Sequence, residues 1–176
     1  YVPSAVKIEF GSLTDQQPVG EHPVRPMIAE QFPDALTVPQ VAVVAMEAER
    51  TFWEKATILH DACLRPAAKR LNERSSRHYY DTVLLAETAA GARALTRPDL
   101  LARVTCFKNL FFASSWSDYA SAKLGSFRLV PSEARRAEVE PDYAEMQEFF
   151  TAPPPAFDAL WERLQAVEKR INAIGQ

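Results

Sequence analysis

Residues 50–64 read RTFWEKATILHDACL, and their spacing decides what kind of chain this is. At about 100° per residue, Phe52, Ala56, Ile58, Leu59, Ala62 and Cys63 share one broad helical face. Thr51, followed three residues later by Glu54, has the pattern of a capping box, and Pro66 closes the run. A helix is therefore expected from about Glu49 to about Leu64. Lys55 falls in the middle of the apolar face, while Glu54 points away. Desolvating an ammonium is costly, so Lys55 either snorkels or pairs internally, or else awaits a ligand phosphate as a compact point charge.

Upstream of this helix the period is two. Val6, Ile8 and Phe10 alternate with Lys7 and Glu9, the pattern of a half-buried strand that Gly11 ends. Pro18, Pro23, Pro26, Pro33 and Pro39 keep the next stretch irregular, with room for a short strand at Met27–Ala29. Val41–Ala45 reads as a second, buried strand.

Downstream, a second helix is expected over Ser76–Glu87, with Gly91 interrupting the chain beyond it. A third opens at Pro98 and carries Leu100, Leu101, Val104 and Phe107 at helical spacing. Ser114–Arg135 reads as a polar loop with a short extended segment, Phe127–Pro131. A fourth helix is expected from near Pro141 to near Phe150, and a last one from Phe157 to about Ile174, striped by Leu160, Leu164, Val167 and Ile171. Strands first and helices after define an α+β chain, with a strand-rich region at 1–48 and a helical region at 49–176.

Composition narrows the function classes. A formal charge of −3 over 176 residues argues against a broad cationic surface for nucleic acid. No apolar run approaches the ~20 residues that span a bilayer, no secretory signal pattern is present, and a cytoplasmic protein is expected. Cys63 and Cys106 lie in apolar helical patterns and are expected to be buried thiols. P-loop, GxGxxG, HExxH, zinc-ligand and serine-hydrolase signatures are absent. The chain opens at Tyr1 without Met and soon enters a strand, as expected for part of a longer polypeptide.

A second informative stretch, Arg74–Asp81, reads RSSRHYYD. Arg77 and Asp81 are four apart and can pair along a helix. Alternatively, Asp81 acts as a base or orients a phosphate-binding cation. Glu9, on the polar face of the first expected strand, is either solvated or one of several carboxylates around Mg²⁺.

Together, RTFWEKATILH and RSSRHYYDTVLL resemble the Glu-Lys and Arg-His-Tyr-Tyr-Asp blocks of the AbiEii/AbiGii nucleotidyltransferase family. VKIEFG resembles the strand entering that region; PDYAEMQEFF, Phe157–Leu160 and Arg170–Asn172 resemble its C-terminal helices. The resemblance implies a partial nucleotidyltransferase-like sheet followed by a helical bundle. It also implies Mg²⁺-dependent transfer from a nucleoside triphosphate to a nucleic acid or protein acceptor. Some members are toxins of toxin–antitoxin or phage-defence systems, so a cognate antitoxin is an implied partner. On the family pattern, Lys55 contacts the nucleotide phosphates, and Arg77 and His78 line the same cleft. Asp81 completes the catalytic site as base or orienting group, and Glu9 is a further catalytic carboxylate and Mg²⁺ ligand. The family's glycine-rich motif and paired aspartates are expected before Tyr1, which would leave residues 1–176 inactive alone. The rival class is a non-catalytic helical interaction module in which Lys55 and Asp81 pair inside the core. An open cleft at Lys55 and Asp81 favours the enzyme; a closed, buried pair favours the module.

Overall fold

The computed structural model describes residues 8, 10–11, 15–150 and 152–175. Val6, Lys7 and Glu9 lie outside the described residues, so the expected first strand and its carboxylate do too. An antiparallel pair comes first: β1 (Val19–Val24) against β2 (Val41–Met46), with Val19 opposite Met46 and Val24 opposite Val41. Their connection holds α1 (Ile28–Gln31) and a 3₁₀ turn at Pro33–Ala35, so Met27–Ala29 opens a helical turn rather than a strand. Beyond β2 the described residues form α2 (Ala48–Leu64), α3 (Ser76–Ala86), α4 (Ala89–Leu95), α5 (Pro98–Phe111), α6 (Glu133–Glu145) and α7 (Phe157–Ala173). The architecture is α+β, a small sheet leading into a helical body.

β2 is apolar along its length, which suits a strand covered on both faces, yet Val41 is 49% and Val44 69% exposed. The expected buried strand is thus an exposed one. The core lies instead among the helices. Phe52, Trp53, Ala56 and Leu59 of α2 are buried against Tyr79 and Val83 of α3, and against Leu100 and Val104 of α5. The stripe of α7 (Leu160, Leu164, Val167, Ile171) is buried as its period required. Trp53 is placed by a hydrogen bond from its indole Nε1 to the Ala94 carbonyl at 3.1 Å.

Several boundaries differ from expectation for local reasons. α2 starts at Ala48, and Thr51 sits within its first turn rather than capping it. The Glu47 carbonyl receives the Arg50 and Thr51 amides there. α3 starts at Ser76 as expected, but its capping carboxylate comes from far along the chain. Asp142 of α6 accepts from the Arg74 and Ser76 amides at 2.6 and 2.7 Å. α6 begins at Glu133, eight residues before Pro141, which lies inside it near its end. Proline favours a first helical turn, and here it is tolerated in a late one.

The Phe127–Pro131 segment forms no strand. Asn172 accepts from the Phe127 amide at 2.8 Å, His60 Nδ1 from Arg128 at 3.1 Å, and Glu168 from Leu129 and Val130. Side chains of α2 and α7 thus satisfy main-chain donors that would otherwise be buried unpaired.

Gly91 does not interrupt the chain; it lets α4 form. The Thr88 hydroxyl accepts from the Gly91 amide at 3.2 Å. A Cβ at Gly91 would lie 2.2 Å from the Leu85 carbonyl oxygen. Alanine would gain about 1 kcal/mol of helix propensity, but overlap with rigid backbone costs about 1–3 kcal/mol or more. Gly91→Ala is expected to lower stability by about 2 kcal/mol at the upper end of that range, once the propensity gain is set against the overlap, measured as a lower urea midpoint with unchanged slope.

Candidate functional site

The outer edge of α2 carries Thr51, Glu54, Lys55, Ile58 and Asp61, with Arg65 just past its end, all half-buried. Its buried face is rotated from the one that periodicity suggested, because Arg50, Trp53, Thr57 and His60 are inside as well. Lys55 therefore stands at the rim of the buried face, and Ile58 is partly open.

Lys55 meets two residues of α3. Its Nζ donates to Asp81 Oδ2 at 2.8 Å and lies 3.4 Å from His78 Nδ1. Burial first, then the charges of Lys55 and Arg77, lower the His78 pKa to about 4. The imidazole is neutral at pH 7 and can accept the ammonium's proton at Nδ1, a tautomer assigned from its neighbours. The Lys55 and Asp81 side chains keep 24% and 35% of their solvent access. A pair this open contributes about 1 kcal/mol or less, so a ligand phosphate can compete for the lysine. An ammonium has three donors, which leaves one beyond Asp81 and His78.

The structure thus brings Lys55, His78 and Asp81 together. Arg77 does not pair with Asp81 along α3; the carboxylate takes Lys55 instead. Arg77 is exposed and, with His78, lines a cavity of about 170 Å³ that Ile58, Asp61 and Arg65 also border. Glu9 lies outside the described residues. The outcome is neither a wide cleft centred on Lys55 nor a sealed pair: the ion pair is closed but reachable from solvent.

A second charged cluster was not singled out from sequence. The Arg50 side chain has no solvent exposure and donates to Asp15 at 2.7 Å and Glu54 at 2.9 Å. Arg103 of α5 holds Asp15 from the other side through two hydrogen bonds of 2.6 and 2.8 Å. The Arg103 hydrogen bonds and then Arg50 hold the Asp15 carboxyl well below the usual carboxylate range, against the opposing effect of burial. Lys108 of α5, 6% exposed, donates to the Glu54 carbonyl at 2.7 Å and lies 3.3 Å from Glu54 Oε2. Burial lowers the Lys108 pKa while Glu54 opposes the shift. The sequence signals were the Arg50–Glu54 spacing of four and a lysine inside the apolar pattern of α5. Both expected buried thiols differ: Cys63 is half-buried, with its pKa pushed up to about 12 by burial, and Cys106 is exposed.

The fold is thus an α+β chain with a small sheet and a helical body, in which the Lys55–Asp81 pair between α2 and α3 is reachable from solvent. The chain belongs to the AbiEii nucleotidyl transferase toxin family: the family model described as "Nucleotidyl transferase AbiEii toxin, Type IV TA system" matches residues 1–163. The match ends within α7, before Arg170–Asn172. No curated protein and no solved structure matches the chain. Membership places the chain among toxin–antitoxin nucleotidyltransferases. Among the described residues, no group of three or more His, Cys, Asp or Glu is arranged to hold a metal ion. Among them, too, no helix is long and apolar enough to cross a membrane.

The two clusters should respond differently to truncation. Arg50→Ala leaves Asp15 and Glu54 without their shared buried partner and is expected to cost about 3–5 kcal/mol. Lys55→Ala is expected to cost about 1 kcal/mol or less; chemical denaturation of both variants checks the contrast.

His78 sets a pH dependence. Its folded pKa of about 4 lies below the ordinary value of 6.5, so between these values the unfolded chain binds more protons. Stability is fully present above about pH 6.5 and falls as the pH drops towards 4. His60, also lowered by burial, contributes in the same direction. His78→Gln is expected to flatten the fall without abolishing it, read from urea midpoints across that range.

Proposed function

We propose that this chain binds the triphosphate of a nucleoside triphosphate at Lys55, within a Mg²⁺-dependent nucleotidyl transfer to a hydroxyl of a nucleic acid or protein. The observation that carries the proposal is the Lys55–Asp81–His78 cluster, a lysine oriented by an anion and a neutral imidazole while still reachable from solvent. Phosphoryl and nucleotidyl transfer depend mostly on positioning and on charge stabilisation. A lysine donor on the phosphates serves both.

In this reading Lys55 exchanges part of its contact with Asp81 for phosphate oxygens. Asp81 acts as the base or as the group that orients Lys55, whose Nζ donates to Oδ2 at 2.8 Å. His78, neutral at pH 7, holds the ammonium without competing with it for the phosphate. Arg77, exposed beside the neighbouring cavity, supplies a second cation to the nucleotide. Glu9 is proposed on the family pattern alone as a catalytic carboxylate and Mg²⁺ ligand. Bound Mg²⁺ would neutralise the triphosphate and stabilise charge in transfer; the described residues contribute binding and orientation. A cognate antitoxin is the proposed protein partner, in keeping with a type IV toxin–antitoxin family.

A non-catalytic helical module is favoured by one observation, the closure of Lys55 on Asp81. Against it stands the solvent access that both side chains keep. Calorimetric titration with nucleoside triphosphates and Mg²⁺ separates the two. Lys55→Ala is expected to weaken binding at least about 10-fold while remaining folded, the equivalent of about 1.4 kcal/mol. Asp81→Asn is expected to weaken it less. Unchanged binding by Lys55→Ala would remove the lysine from the nucleotide site.

A further inference from the structure

Ile58 borders two cavities, one on each side of the outer edge of α2. The polar one, with Arg77 and His78, belongs to the site already described. The other, of about 370 Å³, has walls of Met46, Phe107, Phe112 and Tyr119, with Glu54 and Lys108 among its lining. We infer that this second cavity receives the nucleobase of the nucleoside triphosphate whose phosphates Lys55 takes, an inference that rests on the nucleotide reading above.

Four observations support it. The volume falls within the range of about 300–1,000 Å³ typical of small-molecule sites, and the mixture of apolar walls with a few polar groups is the usual lining of such sites. A nucleobase is a flat aromatic ring with a polar edge, and bases stack on aromatic side chains in a sequence-tolerant way. Phe112 offers such a surface: it is 50% exposed, its ring centroid 6.0 Å from that of Phe107.

The polar edge has partners as well. Glu54 Oε2 and Lys108 Nζ lie 3.3 Å apart, an acceptor beside a donor. Lys108 donates to the Glu54 carbonyl and carboxylate, and an ammonium has a third proton to give. Lastly, the cavity and the phosphate-binding lysine share one helix edge. Glu54 precedes Lys55 directly, and Ile58 follows it by three residues, about 4.5 Å along the axis at 1.5 Å per residue.

The test compares ATP, CTP, GTP and UTP with inorganic tripolyphosphate, each titrated with Mg²⁺ into the protein, into Phe112→Ala and into Lys55→Ala. Phe112→Ala is expected to weaken the tightest nucleotide at least about 10-fold and to leave tripolyphosphate within about twofold of the wild type. Lys55→Ala is expected to weaken both ligands. Phe112→Trp, which keeps an aromatic surface, is expected to retain nucleotide binding and to show a fluorescence change that tripolyphosphate does not cause. Undiminished nucleotide binding by Phe112→Ala overturns the base site and leaves the phosphate role of Lys55 standing. Equal loss of both ligands in Phe112→Ala also overturns it, because the effect would then be structural. Lys55→Ala without effect on either ligand removes the phosphate reading instead, and absence of nucleotide binding by the wild type removes both.

Discussion

A guanidinium without solvent contact organises this molecule. Arg50, in the first turn of α2, is neutralised by Asp15 from the segment before β1 and by Glu54 one turn on. Each of those carboxylates has a second cation from α5, Arg103 for Asp15 and Lys108 for Glu54. Burying an unpaired charge is so costly that the members of the cluster must assemble together. Their assembly joins the entering chain, α2 and α5, and fixes the rotation of α2 about its axis. That rotation turns Trp53 and His60 inward and leaves Lys55 at the rim facing α3. The position of the candidate site thus depends on charges that take no part in it.

How much of this the sequence disclosed depended on whether the deciding chemistry was local. The end of α2 before Pro66, the start of α5 at Pro98 and the buried stripe of α7 rest on neighbouring residues, and the structure has them as expected. The start of α6 was obscured because Pro141 mimics a helix opening, and α4 because Gly91 mimics a break. Both glycine and proline have local meanings that tertiary contacts reassigned. The carboxylate at the start of α3 arrives from Asp142, a distance in sequence that no spacing rule covers.

The same division holds for the site. Lys55 and Asp81 were visible as charges within apolar helical patterns, and the structure pairs them with each other rather than Asp81 with Arg77. Neither the shielding of His78 nor the depth of Lys108 could be read from a string of letters, since both depend on which helices close over them. The chain is acidic overall, and the outer edge of α2 is mixed in charge, with Lys55 and, just past its end, Arg65 alongside Glu54 and Asp61.

The strap from Phe127 to Val130 has another consequence. Its main-chain amides are held by His60, Glu168 and Asn172, not by a neighbouring strand. A backbone donor is the same whatever side chain it carries, so sequence restraint passes from the strap to the helices that hold it. Variation at Arg128, whose side chain is exposed, leaves the attachment whole. Loss of Glu168 releases two amides at once. In a set of related chains, the stability of this loop would be recorded in the composition of α2 and α7, far from the loop itself.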